Sequence, residues 1–167
     1  MRHTSPLNKL WAPWRHPFIT NAARATRRCI FCAHPRSRQD RAHYILHRRP
    51  LAFSMLNLYP YNNGHLMISP YRHVARLTGL TDEELRACWQ LAAQCESLLD
   101  RVLHPDGYNI GLNLGRVAGA GFAGHLHIHL VPRWTGDTNF MPVVSGTKVV
   151  SQSLRALYRA LRDADTR

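Results

Sequence analysis

The stretch HLHIHLVPRW, residues 125–134, places a histidine at every second position. Successive side chains of a β-strand point to opposite faces, so His125, His127 and His129 would share one face, with imidazoles about 6–7 Å apart. Three protonated rings at that spacing would repel one another, and at least some should be neutral at pH 7. A neutral imidazole can act as a nucleophile, a general base or a metal ligand. The pattern therefore predicts a reactive site on a core strand.

The segment before this strand is rich in glycine. RVAGAGFAG, residues 116–124, follows a predicted strand at 108–115. Glycine lets main-chain N–H groups approach a ligand closely, as in anion-binding loops. Flexibility alone would also explain such a loop, but its position beside the histidines favours an anion site.

The remaining hydrophobic pattern predicts an α+β fold. Strands are expected at 43–49, 51–59 and 65–70, and the turn sequence PYNNG (60–64) would join the last two into a hairpin. Strands joined by short turns indicate an antiparallel sheet, here of about five strands.

Two helices are expected beside this sheet. Thr81 and Glu84 fit a capping box, and apolar residues keep helical spacing to residue 102, which predicts one long helix. A C-terminal helix is expected over 151–164, and CIFCAHPRSRQDR (29–41) is interpreted as a knuckle or loop. Residues 1–28 form an Arg- and Pro-rich arm, and residues 29–167 form a single domain.

Composition limits the class of protein. Apolar residues make up 45% and charged residues 19% of the 167 residues, which is typical of a globular chain. No apolar run approaches the roughly 18 residues of a membrane helix, and the first residues contain no secretory signal. A cytoplasmic protein without membrane contact is the expectation.

The chain is strongly basic. Twenty-two Lys and Arg face ten Asp and Glu, giving a formal charge of +12, and only Lys9 and Lys148 are lysines. This charge favours anionic partners, either nucleotides or nucleic acid. Compositional drift would produce the same excess, so charge alone does not choose a function.

The four cysteines fall into two pairs. Cys29 and Cys32 form C-x-x-C, which is half of a zinc site and needs two further ligands. Reduced, metal-free thiols are the alternative. Cys88 and Cys95 fit one face of the long helix and are expected to be small core residues.

The histidine stretch resembles the histidine triad (HIT) family. HLHIHLV matches its His-x-His-x-His-x-x pattern, LNLYPYNNGHLMISPYRHV (56–74) resembles its first hairpin, and NLGRVAGAGFAGHLHIHLVPRW (113–134) resembles its loop and catalytic strand. PRWTGDTNFMPVVSGTKVV (132–150) is similar to the branch of bacterial diadenosine tetraphosphate phosphorylases and hydrolases. The resemblance covers roughly residues 29–160 and implies a HIT-like fold.

The resemblance implies a role for each site residue. His127 would attack the α-phosphorus of a nucleotide and form a transient nucleotidyl-histidine, and His129 would contact the phosphate or the departing group. The nucleotide and phosphate would be bound by a wider set: Asn57, His65, Asn113, Gly119, Ala120, Gly121, His129 and Trp134. An ordinary structural hydrogen bond is the alternative for His65, and packing on a second subunit is the alternative for Trp134. The loop departs from the common family pattern, because AGAGFAG offers no hydroxyl or amide side chain to the phosphates.

The resemblance also implies a metal site and a quaternary structure. His73 and His125 would join Cys29 and Cys32 around a structural Zn²⁺, with His34 as a competing ligand. The family commonly forms homodimers through the long helix and a sheet edge.

The implied activity is cleavage of dinucleoside polyphosphates, by hydrolysis or by phosphorolysis. A Hint-type nucleoside phosphoramidate hydrolase is the alternative within the family, although PRWTGDTNFM argues against it. A basic, zinc-stabilised nucleic-acid-binding adaptor would explain the charge but not the triad, so nucleic acid is not the expected partner.

Overall fold

One antiparallel sheet organises the chain, in the strand order β1-β2-β3-β5-β4. The computed structural model describes residues 28–138 and 152–166. The sheet comprises β1 (Ile45–Arg48), β2 (Ala52–Leu56), β3 (Leu66–Pro70), β4 (Gly107–Leu112) and β5 (Ile128–Arg133). The helices are α1 (Ile30–Ser37), α2 (Asp40–His43), α3 (Asp82–Leu103) and α4 (Leu154–Asp165), with a 3₁₀ turn at Leu77–Gly79. The predicted α+β class and five-stranded sheet are confirmed.

The two faces of the sheet bury different sets of side chains. One face packs against α3 and α4, and its cluster includes Leu66, Ile128 and Leu130. The opposite face packs against α1, with Phe31 and Met67 in its cluster. Met67 lies directly opposite His129 across the β3–β5 pair, so the histidine face is the one that α1 covers.

The long helix forms where local signals predict it. The Thr81 hydroxyl accepts from the Glu84 N–H, and the Glu84 carboxylate accepts from the Thr81 N–H, which completes the capping box. Cys88 and Cys95 are buried on its inner face, as expected. Burial raises the pKa of the Cys88 thiol to about 11 and that of Cys95 to about 12.

The segment 29–41 is helical, so its interpretation as a knuckle or loop is wrong. Residues 30–37 form α1 and residues 40–43 form α2. Pro35 lies inside α1 and the first turn has no acidic residue, so local signals argue against a helix there. Phe31 packs against residues of the sheet and Pro35 is also buried, so tertiary packing stabilises α1.

Some element boundaries also differ from the prediction. Strand β5 begins at Ile128, because the main chain of Leu126 bonds to Val74 (N···O 2.7 Å) and not to a neighbouring strand. Helix α4 begins at Leu154 after Ser153, whose hydroxyl accepts from the Ala156 N–H. The predicted arm lies outside the described residues except for Arg28, as do residues 139–151.

In the described ranges, every helix is too short or too polar to cross a membrane.

Candidate active site and metal cluster

The three histidines of the triad are buried at the start of β5. Their exposed fractions are 1% for His125, 6% for His127 and 9% for His129. Only His129 belongs to the strand, and its ring lies 4.8 Å from that of His127. The Ser69 hydroxyl donates to the Leu126 carbonyl at 2.9 Å, which fixes the segment between the first two histidines.

His127 is held in one tautomer. Its Nδ1 lies 2.8 Å from the main-chain oxygen of His125, and a carbonyl oxygen only accepts hydrogen bonds. Nδ1 therefore carries the proton of the neutral ring, and Nε2 carries an unshared electron pair. Burial lowers the pKa of His127, and the bond to His125 opposes this only partly. The ring is thus prepared as a neutral nucleophile.

Phe31 stacks on the His127 ring. The ring centroids are 4.5 Å apart and the planes are inclined by 23°. Phe31 is 1% exposed and belongs to α1, between the two cysteines of C-x-x-C. Phe31 was not predicted from the sequence as a site residue. A signal existed: if Cys29, Cys32 and His125 share one site, the side chain between the cysteines must lie close to the triad.

His129 lies at the end of a hydrogen-bonded relay. The Tyr61 N–H donates to His65 Nδ1 at 3.0 Å, so the proton of a neutral His65 is on Nε2. That Nε2 lies 2.9 Å from His129 Nδ1 and donates to it. In neutral His129 the proton is then on Nε2. The nearest polar atom of Asn113 is its amide nitrogen, 3.4 Å from Nε2, and because this nitrogen is itself a donor it does not accept that proton. His129 can present an N–H to a phosphate or a departing oxygen.

The predicted nucleotide-binding residues fall into two groups. Asn57 joins the relay, since its amide nitrogen lies 3.4 Å from His65 Nδ1, while its amide oxygen accepts from the Tyr59 N–H. In the glycine-rich loop, the N–H of Gly119 bonds to Arg116 and that of Ala120 bonds to Gly115. These two amides satisfy the turns of the loop itself, and a phosphate would compete for them. The roles of the loop and of Gly121 stay predictions.

The structure does not bring Trp134 to the triad. Trp134 follows the far end of β5, five residues from His129, which corresponds to about 16 Å along a strand. Its indole N–H donates to the carbonyl oxygen of His104, just after α3, at 3.2 Å. Strand direction separates two residues that are close in sequence, and the contact of Trp134 with a nucleotide or with a second subunit stays a prediction.

Four side chains converge as a potential metal site. One ligand atom from each of Cys29, Cys32, His73 and His125 lies within 4.8 Å of the others. His125 Nδ1 is 3.3 Å from the Cys29 sulfur and 3.4 Å from the Cys32 sulfur, and His73 Nδ1 is 3.3 Å from the Cys32 sulfur. Tetrahedral zinc with such ligands separates nitrogen and sulfur by about 3.5 Å.

The protonation of this cluster fits a cation. His125 Nε2 lies 3.0 Å from the Pro70 carbonyl oxygen and therefore carries the proton, which leaves Nδ1 as a lone-pair donor toward the cysteines. Burial raises the pKa of Cys29, and the hydrogen bond from the Cys32 main chain opposes this only partly, so a thiolate at Cys29 is disfavoured without a positive charge. A divalent cation would supply that charge.

Neighbouring residues define the limits of the cluster. Gly124 lies against His73, and a Cβ at this position would be 3.3 Å from His73 Nε2. Arg72 donates to the buried carboxylate of Glu84 at 2.9 Å, which ties the segment of His73 to the start of α3. His34 is not part of the cluster: its ring stacks on His43 with centroids 3.9 Å apart.

The comparison with protein families identifies this chain. The model described as the HIT domain matches residues 38–136, which includes the triad, the glycine-rich loop and all five strands. The chain belongs to the HIT family.

Known proteins resemble the chain over different lengths. It is 40% identical over 162 residues to a protein of Mycobacterium tuberculosis named AP-4-A phosphorylase, covering 93% of this chain and 83% of that protein. It is 35% identical over 83 residues to the bis(5'-adenosyl)-triphosphatase of Dictyostelium discoideum, covering 50% and 55%. A zinc-bound histidine triad protein of Mycobacterium smegmatis superposes with a TM-score of 0.65 and 24% identity, over 81% of this chain and 91% of that one.

Proposed function

We propose that this chain is an enzyme that cleaves dinucleoside polyphosphates such as diadenosine tetraphosphate. The observation that carries the proposal is the tautomer of neutral His127. Its Nδ1–H donates to the His125 carbonyl, so the unshared electron pair is on Nε2, on the other side of the ring. Membership of the HIT family and the 40% identity to an AP-4-A phosphorylase support the choice of substrate.

In the proposed reaction, His127 Nε2 attacks the α-phosphorus. A phosphorus–nitrogen bond forms and the bond from that phosphorus to the bridging oxygen breaks, which releases the rest of the polyphosphate. The ring becomes an imidazolium, which the His125 carbonyl stabilises through Nδ1–H. The N–H of His129 stabilises the negative charge on the departing oxygen by a hydrogen bond, and the His65 relay orients that ring. Attack by a second acceptor then breaks the phosphorus–nitrogen bond and restores His127.

We favour inorganic phosphate over water as the second acceptor, because a relative that matches 93% of the chain at 40% identity is named a phosphorylase. Phosphate would yield a nucleoside diphosphate, and water a nucleoside monophosphate. The test incubates the enzyme with diadenosine tetraphosphate, with and without phosphate, and identifies the products. ADP formed only with phosphate supports phosphorolysis, whereas AMP regardless of phosphate establishes hydrolysis. Faster turnover of adenosine phosphoramidate than of diadenosine tetraphosphate would favour the Hint-type alternative.

We further propose that Cys29, Cys32, His73 and His125 hold a structural Zn²⁺. The separations of their ligand atoms and the tautomer of His125 support this assignment. Zinc would neutralise the thiolates and join α1 to the triad segment, without contacting the substrate. The histidine triad protein of Mycobacterium smegmatis described above is zinc-bound, which is consistent with this assignment.

We also propose a cytoplasmic homodimer. A reducing compartment would keep Cys29 and Cys32 available as ligands. Strand β4 is an edge of the sheet, and Ile110 on it is 41% exposed; on α3, Trp89 is 44% exposed and Leu85 37% exposed. Exposed apolar residues on a sheet edge and a helix support the interface expected for this family.

A further inference from the structure

A basic cleft lies outside the triad, between the α1–α2 corner and the first turns of α4. Its volume is about 570 Å³. Four arginines line it: Arg38, Arg41, Arg155 and Arg159. They come from two segments, 38–41 and 155–159, which are more than 110 residues apart in sequence. The fold therefore brings these arginines together, and they are not a local run of charge.

No Asp or Glu side chain neutralises the arginines of this cleft. All ten Asp and Glu residues lie within 28–138 and 152–166, where the structure is described. Asp40 alone among them lines the cleft, and it is bound by both nitrogens of the Arg48 fork at 2.6–3.1 Å. Within those same ranges none of the four cleft arginines forms an ion pair.

The start of α4 adds to the attraction for anions. Its first turn contains no acidic residue and carries Arg155, although helices favour negative charge at this end. The unpaired N–H groups of a helix N-terminus bind anions, and phosphate in particular. An anion bound beside Arg155 would offset the repulsion between this arginine and the positive end of the helix dipole.

We propose that this cleft is a second anion site that binds a chain of two or more phosphates. The planar forks of arginine match phosphate oxygens, and four uncompensated guanidiniums match a multiply charged chain better than a single carboxylate. The site is separate from the triad, because α4 packs on β1, and β1 is three strand spacings, about 14 Å, from β5. The ligand is an inorganic polyphosphate or the phosphate chain of a nucleotide.

The experiment maps binding on the ¹⁵N-labelled full-length chain. Sodium tripolyphosphate and ATP are titrated separately, and amide chemical shifts are followed. We expect saturable shifts in residues 38–44 and 153–159. The triple variant R41Q/R155Q/R159Q should weaken binding at these amides by at least about tenfold, since charge-assisted bonds to phosphate are lost. The control R76Q/R86Q/R101Q removes the same charge from other exposed arginines and should bind like the wild type.

Each outcome either distinguishes an inorganic polyphosphate from a nucleotide or contradicts the proposal. Equal affinity for tripolyphosphate and ATP assigns an inorganic chain, and tighter binding of ATP assigns a nucleotide. Shifts that do not saturate, that sodium sulfate reproduces at the same ionic strength, or that occur only in residues 113–129 would overturn the site. So would saturable binding of a single-stranded RNA without any response to tripolyphosphate. None of these results depends on the activity of His127.

Discussion

At the scale of single residues, the decisive feature is that neighbouring hydrogen bonds fix the tautomers of His127 and His129. A carbonyl oxygen fixes the proton of His127 on Nδ1, and the Tyr61 N–H fixes that of His65, and through it that of His129. One ring thus presents an electron pair and the other an N–H. The nucleophile and the hydrogen-bond donor are thus both set by main-chain groups, the His125 carbonyl and the Tyr61 N–H, which do not titrate.

Phe31→Leu should lower kcat by roughly ten- to a hundredfold with little change in KM, because small misplacement of a nucleophile slows reaction more than binding. Phe31 holds the His127 ring by stacking. Steady-state kinetics with diadenosine tetraphosphate provides the measurement. Phe53→Leu is the matched control: Phe53 is buried in the same cluster but stacks on Tyr71. Equal losses in the two variants would show that Phe31 acts only through stability.

At the scale of elements, the metal cluster should couple α1 to the triad segment. Cys29→Ser should reduce zinc from about one ion per chain to nearly none. Loss of a tightly bound ion removes roughly 3 kcal/mol or more of stability, which for a chain of this size lowers Tm by about 6–12 °C. Metal analysis and calorimetry measure both effects. Cys88→Ser, in the core of α3, should lower Tm but keep the zinc. Wild-type protein without zinc would contradict the assignment.

Helix α4 is anchored to β1 by a buried histidine. His47 is 3% exposed; its Nδ1 lies 2.8 Å from the Ser54 hydroxyl, and its Nε2 lies 3.1 Å from an Asp165 oxygen, in ion-pair range but not aligned for a hydrogen bond. Burial lowers the pKa of His47, and Asp165 opposes this only partly, while Arg49 and Arg162 lower it further.

This lowered pKa predicts acid sensitivity. The unfolded chain binds a proton at position 47 near pH 6.5, whereas the folded chain does so only at lower pH, so stability is lost as pH falls through this window. His47→Gln should make the fall in the free energy of unfolding shallower, by at most about 1.4 kcal/mol per pH unit. Urea unfolding between pH 7.5 and 5 measures the slopes. Identical slopes in wild type and variant would refute the role of His47.

The sequence predicts some elements better than others, for physical reasons. Helix α3 was predictable because its capping box and apolar period are local. Helix α1 was not, because burial of Phe31 and Pro35 outweighs the proline inside it. The pairing of His65 with His129 depends on the register that sets Met67 opposite His129, and no local signal encodes that register. The cluster of Cys29, Cys32, His73 and His125 was expected only through family resemblance.

At the scale of the whole molecule, the two faces of the sheet have different roles. The triad and the metal cluster lie on the side that α1 covers, and α3 and α4 support the other side. The basic cleft lies beyond the β1 edge, and the exposed β4 edge is at the opposite end. In the part of the chain that the structure describes, no further strand covers either edge, and the two proposed partners, a phosphate chain and a second copy of the chain, would bind at opposite ends of the sheet.

The proposed dimer depends on the β4 edge. Ile110→Glu should convert the dimer to a monomer at micromolar concentration, because it places a charge in an apolar contact. Sedimentation equilibrium measures the mass. Leu51→Glu is the control, since Leu51 is similarly exposed, at 39%, but lies beside β2. A wild-type chain that sediments as a monomer would contradict the proposed assembly.

The most direct measurement concerns the covalent intermediate. Diadenosine tetraphosphate labelled at the α-phosphorus is mixed with the enzyme, quenched within milliseconds and digested for mass spectrometry. The proposed mechanism predicts an acid-labile adenylyl group on the peptide that contains His127, formed before product and absent in His127→Asn. Continued turnover with no label on His127 at any quench time, or with the label on another residue, would contradict it.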